Sequence, residues 1–359
     1  MNTDGNRCRE KTSQNNSTQL YKPSVSSVLD NIITMTTLSL LLPVLFSCIP
    51  SQLTSEAETI LKVRTQQNRI RPEIVTLDIL AFNDDPLMRM DSYQRISYFS
   101  GDIASIRSQT GDKIIFACAN SHKDIFWWSG ISSFPSVGGM YAELQLESPD
   151  NLLMCGESRT HAGSPVTEEI VLSPIAAQVV LRSIRCDFSD TGYETEELTD
   201  VKAYLTNVNA RCSLDAEDPV NPTHIINYAG HDEDDIGGFA HPEIIYRHIG
   251  ASVGNRTVWP DIKFLCYPNA GREDGPGTPF TRLVIEGMIQ GERFWWPVSI
   301  NRQDGCDEAG IYRNRCYVYD IVIRRKGMKD PDTPVEASQA QCLLNTMTWD
   351  GKGEHHIGF

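Results

Sequence analysis

The chain has 359 residues, with Lys+Arg 32 against Asp+Glu 47 and a formal net charge of −15. That acidic balance argues against a nucleic-acid partner, because phosphate binding depends on clustered Lys and Arg. The length leaves room for a sizeable core and favours two domains over one.

Residues 1–27 are polar, rich in Asn, Ser and Thr, and without periodicity. Ile32 to Ser47 follows without a single charged residue, and Cys48 closes it. The run is short for a membrane span, which needs roughly 20 apolar residues, but suits the core of a secretory signal. Leu45-Phe46-Ser47-Cys48 resembles the bacterial lipobox, with a branched apolar residue at −3 and a small one at −1 before cysteine. There the signal is removed in front of the cysteine, which then carries acyl chains. Several chains at about 0.8 kcal/mol per buried CH₂ hold a soluble domain on a bilayer. Residues 1–47 are therefore expected to be a leader and Cys48 the lipidation site.

Beyond it, a polar segment with one or two helical turns is expected from Glu56 to Val63. A basic linker containing Arg64, Arg69 and Arg71 follows and ends at Pro72. The pattern then turns to strand: Ile74 to Phe82, a return from Tyr93 to Phe99, and a continuous apolar run from Gly111 to Asn120 that reads as a buried strand. Asp124 to Trp128 reads as helix or loop. From Met140 to Leu146 the residues alternate, with Met140, Ala142, Leu144 and Leu146 opposite Glu143, Gln145 and Glu147.

Ala162 to Val166 interrupts the pattern, so domains are expected at 48–165 and 166–359. Strands are then expected at Ile170–Leu172, Ala176–Phe188, Val201–Thr206, Trp259–Tyr267, Thr281–Met288, Arg293–Ile300, Cys316–Arg324 and Gln341–Trp349. Between them, a long loop and a short helix around Pro242 to His248 are expected. In Cys316–Arg324 the residues Tyr317, Tyr319, Ile321 and Ile323 share one face. Cys316, Val318, Asp320, Val322 and Arg324 share the other, which is expected to be wet. Long helical periodicity is absent, so antiparallel β-sandwiches are the expected architecture.

Signatures of catalysis are missing: there is no HExxH, no GxSxG, no phosphate-binding loop and no GxGxxG between strand and helix. His231 and the acids Asp232 to Asp235 read as a solvated loop, because the spacing of an EF-hand is absent. Neither a metal nor a cofactor is expected. Trp127-Trp128 and Trp295-Trp296 read as pairs with one ring in the core and one at the surface, with glycan binding as the functional alternative. Eight cysteines after Cys48 allow 105 pairings. Most are expected to be small buried hydrophobes, with one or two pairs formed.

Several motifs carry a family resemblance. They are Leu77 to Asn83, Ala119-Asn120, Cys266 to Asn269, Thr281 to Ile285, Phe294 to Val298, Tyr312 to Tyr317, Ile321 to Gly327, Asp330 to Val335 and Trp349. In order and spacing the chain resembles the fimbrillin-associated anchor proteins of Bacteroidales type V pili, most clearly from Cys266 onward. The resemblance implies two transthyretin-like β-sandwiches and a lipid-held N-terminus on the outer membrane. It also implies a structural, non-enzymatic role, with a fimbrial stalk subunit as partner. Assembly is expected by β-augmentation, in which an extended segment of one subunit adds to a sheet of the next. In the polymerising members a protease cuts after a basic residue near the first strand, and Arg69 and Arg71 stand in the matching place. A cut there implies a tip or stalk subunit instead of an anchor.

Overall fold

The computed structural model describes residues 55–65, 73–163, 167–215, 218–271, 279–302, 309–333, 335, 340–348 and 355–358. The described residues belong to one compact unit. Its first eight strands are β1 (Glu56–Thr65), β2 (Leu77–Asn83), β3 (Met90–Ile96), β4 (Ile103–Gln109), β5 (Gly111–Ala119), β6 (Tyr141–Glu143), β7 (Met154–Ala162) and β8 (Thr167–Pro174). Seven of them form one sheet in the order β3-β2-β5-β7-β8-β1-β4.

That sheet folds on itself. Leu61 and Val63 of β1, Ala104 and Ile106 of β4, and Ile170 and Leu172 of β8 close on Leu77, Ile79 and Ala81 of β2 and Ile115, Ala117 and Ala119 of β5. The alternate residues of the same two strands, Leu80, Phe82, Ile114, Phe116 and Cys118, point the other way into the main core. Strands β2 and β5 are thus buried on both faces, which is why their sequences are nearly continuous apolar runs. Each fully buried Leu, Ile or Phe contributes roughly 1.5–3 kcal/mol.

The remaining strands are β9 (Ala177–Cys186), β10 (Thr199–Thr206), β11 (Val208–Asn209), β12 (Arg211–Ser213), β13 (Ile225–Ile226), β14 (Tyr246–Ile249), β15 (Ile262–Cys266), β16 (Arg282–Ile289), β17 (Glu292–Ser299), β18 (Arg315–Ile323), β19 (Ala340–Thr348) and β20 (His355–Gly358). A four-stranded sheet, β14-β10-β16-β17, faces a five-stranded one, β15-β9-β18-β19-β20. Leu283, Ile285 and Trp296 of the first pack with Val179, Leu181, Tyr317 and Tyr319 of the second in the main core. Sheet membership changes between Pro174 and Ala177.

The all-β architecture is as expected, and the pairing is antiparallel except at two places. Strand β1 runs parallel to β8, and β9 runs parallel to β18. Four local expectations are corrected. Glu56 to Thr65 is a strand and not helical turns: Ala57, Thr59, Leu61 and Val63 alternate with Glu58, Ile60, Lys62 and Arg64 at period two, and both neighbours supply ladder partners. Strand β6 stops at Glu143, and Leu144–Leu146 forms a 3₁₀ turn. The segment after Pro242 is a single 3₁₀ turn, Pro242–Ile244, running into strand β14. The outer face of β18 is partly covered, because Cys316 and Val318 pack with Val180 into a small buried cluster. Among the described residues no helix is long and apolar enough to cross a membrane.

Candidate functional site

The candidate site is the place of β1 in the first sandwich. On one side β1 pairs antiparallel with β4, from Glu56 opposite Gln109 to Lys62 opposite Ile103. On the other it pairs parallel with β8, from Ile60 opposite Thr167 to Thr65 opposite Leu172. Its ends are fastened as well: Val63 N donates to Asp102 O at 2.8 Å, and Thr110 N donates to Ser55 O at 2.9 Å. Inward it presents Thr59, Leu61 and Val63, all buried. Outward it presents charge, with Arg64 Nε 3.2 Å from Glu169 of β8 in a largely exposed pair. The strand therefore fills a slot between two others whose floor is Leu77, Ile79, Ile106, Ile115, Ile170 and Leu172. Empty, that slot would expose apolar floor and two rows of unpaired backbone groups, which is the chemistry that takes up an extended segment.

The expected site residues Cys48, Arg69 and Arg71 lie outside the described residues, as does Cys306. Their sequence positions still bracket the slot: Cys48 precedes β1, and Arg69 and Arg71 follow it before β2 begins.

A second feature lies at the seam between the seven-stranded sheet and the strands that follow it. Glu147 is buried, its Oε1 accepting from the Tyr267 hydroxyl at 2.9 Å and its Oε2 from Leu153 N at 3.2 Å. Burial pushes its carboxyl up to about 7, against the opposing pull of those two donors. The alternation of Met140 to Glu147 places this carboxylate on the exposed side. The 3₁₀ turn at Leu144–Leu146 breaks the period and rotates it inward.

The other sequence candidates resolve into structure. Trp128 and Trp296 are fully buried while Trp127 and Trp295 are half-buried. Trp296 Nε1 donates to Arg325 O at 3.1 Å, so it serves the core. Asp232 caps the short helix Glu233–Ile236, and Asp235 accepts from Asn227 N at 2.7 Å. No group of three or more His, Cys, Asp or Glu able to hold a metal occurs among the described residues. Seven cysteines, Cys118, Cys155, Cys186, Cys212, Cys266, Cys316 and Cys342, are buried.

The motifs that carry the family resemblance also have structural work. Asn120 sits at φ 57°; its side chain accepts from Val75 N at 2.9 Å and donates to Glu73 O at 2.8 Å, holding the lead-in to β2. Asn269 donates to Pro279 O at 3.0 Å and to the Thr281 hydroxyl at 2.9 Å, and accepts from Gly271 N at 2.8 Å. Arg282, nearly buried, pairs with Asp332 and ties the segment after β18 to the start of β16.

The sequence matches no protein-family model and no curated protein. Solved structures do match in fold. A candidate cell adhesion protein from Bacteroides eggerthii superposes with a TM-score of 0.62 at 15% identity, covering 82% of this chain and 96% of that one. A fimbrilin from Porphyromonas gingivalis gives 0.60 at 12%, covering 82% and 97%. A candidate cell adhesion protein from Parabacteroides distasonis gives 0.59 at 16%, covering 84% and 99%. The chain has the all-β fold that these cell adhesion and fimbrilin structures share.

Proposed function

We propose that this chain is a structural component of a cell-surface fimbrium, not an enzyme. In this reading acylated Cys48 holds it to the outer membrane, and β-augmentation joins it to the first stalk subunit. The observation that carries the reading is the seating of β1. The strand that follows the lipid-bearing cysteine is an inner strand, paired on both sides and with its apolar residues in the core. A pull along the fibre would then reach the membrane through a laddered strand and not through a loose tether. In an intact chain β1 keeps its slot, and the partner's extended segment adds at a sheet edge that is unpaired among the described residues, such as that beside β20.

The same geometry supports the second reading, a tip or stalk subunit. A cut after Arg69 or Arg71 would sever β1 and its lipid from the rest of the chain. The vacated slot would then take the strand of another subunit. Immunogold electron microscopy on native cells, with antibody against residues 177–323, separates the two. The anchor reading expects gold at the cell-proximal end of fibres. Gold along the shaft or at the distal end would replace it with the tip or stalk reading, and gold on cells without fibres would remove both.

A further inference from the structure

Cys118 of β5 and Cys155 of β7 stand directly opposite each other in the antiparallel ladder. Their Sγ atoms are 3.5 Å apart, and both residues are buried. Opposed residues in such a ladder have Cα atoms about 4.5–5.5 Å apart, within the roughly 4.4–6.8 Å that a disulfide spans. Among the described residues no other pair of cysteine sulfurs is hydrogen-bonded: Cys212 interacts electrostatically with Cys155 but bonds to Ser213 O, Cys316 bonds to Gln178, and Cys186, Cys266 and Cys342 lie in the apolar core. Among the seven described cysteines, geometry thus singles out one pair.

We propose that Cys118 and Cys155 are a cross-strand disulfide site, oxidised as the chain folds in a compartment that supplies a disulfide donor. The thiolate of one cysteine attacks a sulfur of the donor disulfide, forming a mixed disulfide and releasing the donor's other sulfur as a thiolate. The thiolate of the second cysteine then displaces the remaining donor sulfur and closes the Cys118–Cys155 bond. Two electrons and the two thiol protons pass to the donor, which leaves as two thiols. Burial holds the Cys118 thiol well above its ordinary range in the folded protein. The exchange therefore belongs to the folding chain, before the core closes over the ladder. The bond would fasten β5 to β7 and enclose the segment that carries β6 and Glu147. Constraining the unfolded chain across a loop of this kind is the usual origin of disulfide stabilisation.

The test needs neither fibre nor membrane, so its failure would leave the fimbrial reading untouched. The full chain is exported to an oxidising bacterial periplasm, purified folded, denatured with an alkylating reagent and digested for mass spectrometry. The expected product is a linked peptide containing Cys118 and Cys155, with Cys186, Cys212, Cys266, Cys316 and Cys342 alkylated. Alkylated Cys118 and Cys155, or either of them joined to another cysteine, would overturn the proposal. Thermal unfolding with and without dithiothreitol gives a second reading. The wild-type Tm should fall by several degrees on reduction, whereas the Cys118→Ala/Cys155→Ala chain should be insensitive to it. A wild-type Tm that ignores the reductant would count equally against the site.

Discussion

The two sandwiches solve one construction problem in different ways. Each contains a single parallel pairing, β1 on β8 in the first and β9 on β18 in the second, and in each both members also have an antiparallel partner on the far side, β4 and β7 in the first and β15 and β19 in the second. In the second sandwich β18 is locked by large side chains with tied polar ends. The Tyr317 hydroxyl accepts from Tyr312 N at 3.0 Å, and the Tyr319 hydroxyl accepts from Asn301 N at 3.2 Å. In the first, the buried inward residues of β1 are Thr59, Leu61 and Val63, with no aromatic ring among them. The same ladder is therefore held by bulky anchors in one place and by small, repeating apolar contacts in the other. In the proposed tip or stalk reading, a strand of the second kind is one whose slot another extended segment of similar alternation would fill.

The largest expected effects come from the two close approaches that glycine permits. A Cβ on Gly156 would lie 2.2 Å from Val171 O of β8, and one on Gly327 would lie 2.2 Å from Trp295 O of β17. Neither carbonyl can yield without moving its strand. Gly156→Ala and Gly327→Ala should each cost about 4 kcal/mol in denaturant unfolding. Hydrogen exchange should quicken first in β1, β7 and β8 for Gly156→Ala, and in β16 and β17 for Gly327→Ala. Equal loosening of both sandwiches by either change would erase the contrast drawn between them.

Leu61→Ala comes next. It removes the central side chain that β1 places in the first core and should cost roughly 3 kcal/mol, with faster exchange in β1 and β4 while β18 stays protected. Glu147 follows, through pH. Its carboxyl is raised from 4.5 to about 7 in the folded protein, so below about 4.5 the proton is held in both states and its contribution is complete. As pH rises through 7 the folded state must ionise a buried carboxylate, and that stability is lost. The wild type should therefore lose roughly 2–3 kcal/mol relative to Glu147→Gln between pH 4.5 and pH 8. A pH-independent difference between the two chains would contradict the buried assignment. The smallest effect is Tyr319→Phe, which takes the acceptor from Asn301 N and should cost about 1–2 kcal/mol, read as exchange in β18 without change in β1.

Much of this fold was legible in the sequence. The strands buried on both faces, β2 and β5, and the alternating strands β16 and β18 announced themselves through apolar runs and period two. Strand β1 did not, because its inward set includes the polar Thr59 and its outward set the apolar Ile60, so a true alternation looked like a short polar segment. Strands β4 and β7 were missed for a related reason. Arg107, Glu157 and Arg159 lie on their exposed faces and the polar Ser108 stands among their buried residues, so only long-range partners make them strands. Glu147 illustrates a different limit. The alternation holds up to Glu143, but one 3₁₀ turn, stabilised by contacts distant in sequence such as Leu144 N to Ala210 O, reverses which side faces the core. The parallel placement of β1 on β8 joins residues more than a hundred positions apart, and no local pattern encodes it.

In the proposed anchor, β1 stays in its slot downstream of a lipid-bearing Cys48. The most direct measurement is intact-mass and N-terminal peptide analysis of the protein extracted from the outer membranes of native cells. The account predicts a chain that begins at Cys48 with acyl chains attached and contains the peptide spanning Glu56 to Thr65. A mature chain beginning at Ile70 or Pro72, with no lipid and no β1, would contradict it and show that the slot is vacated in use.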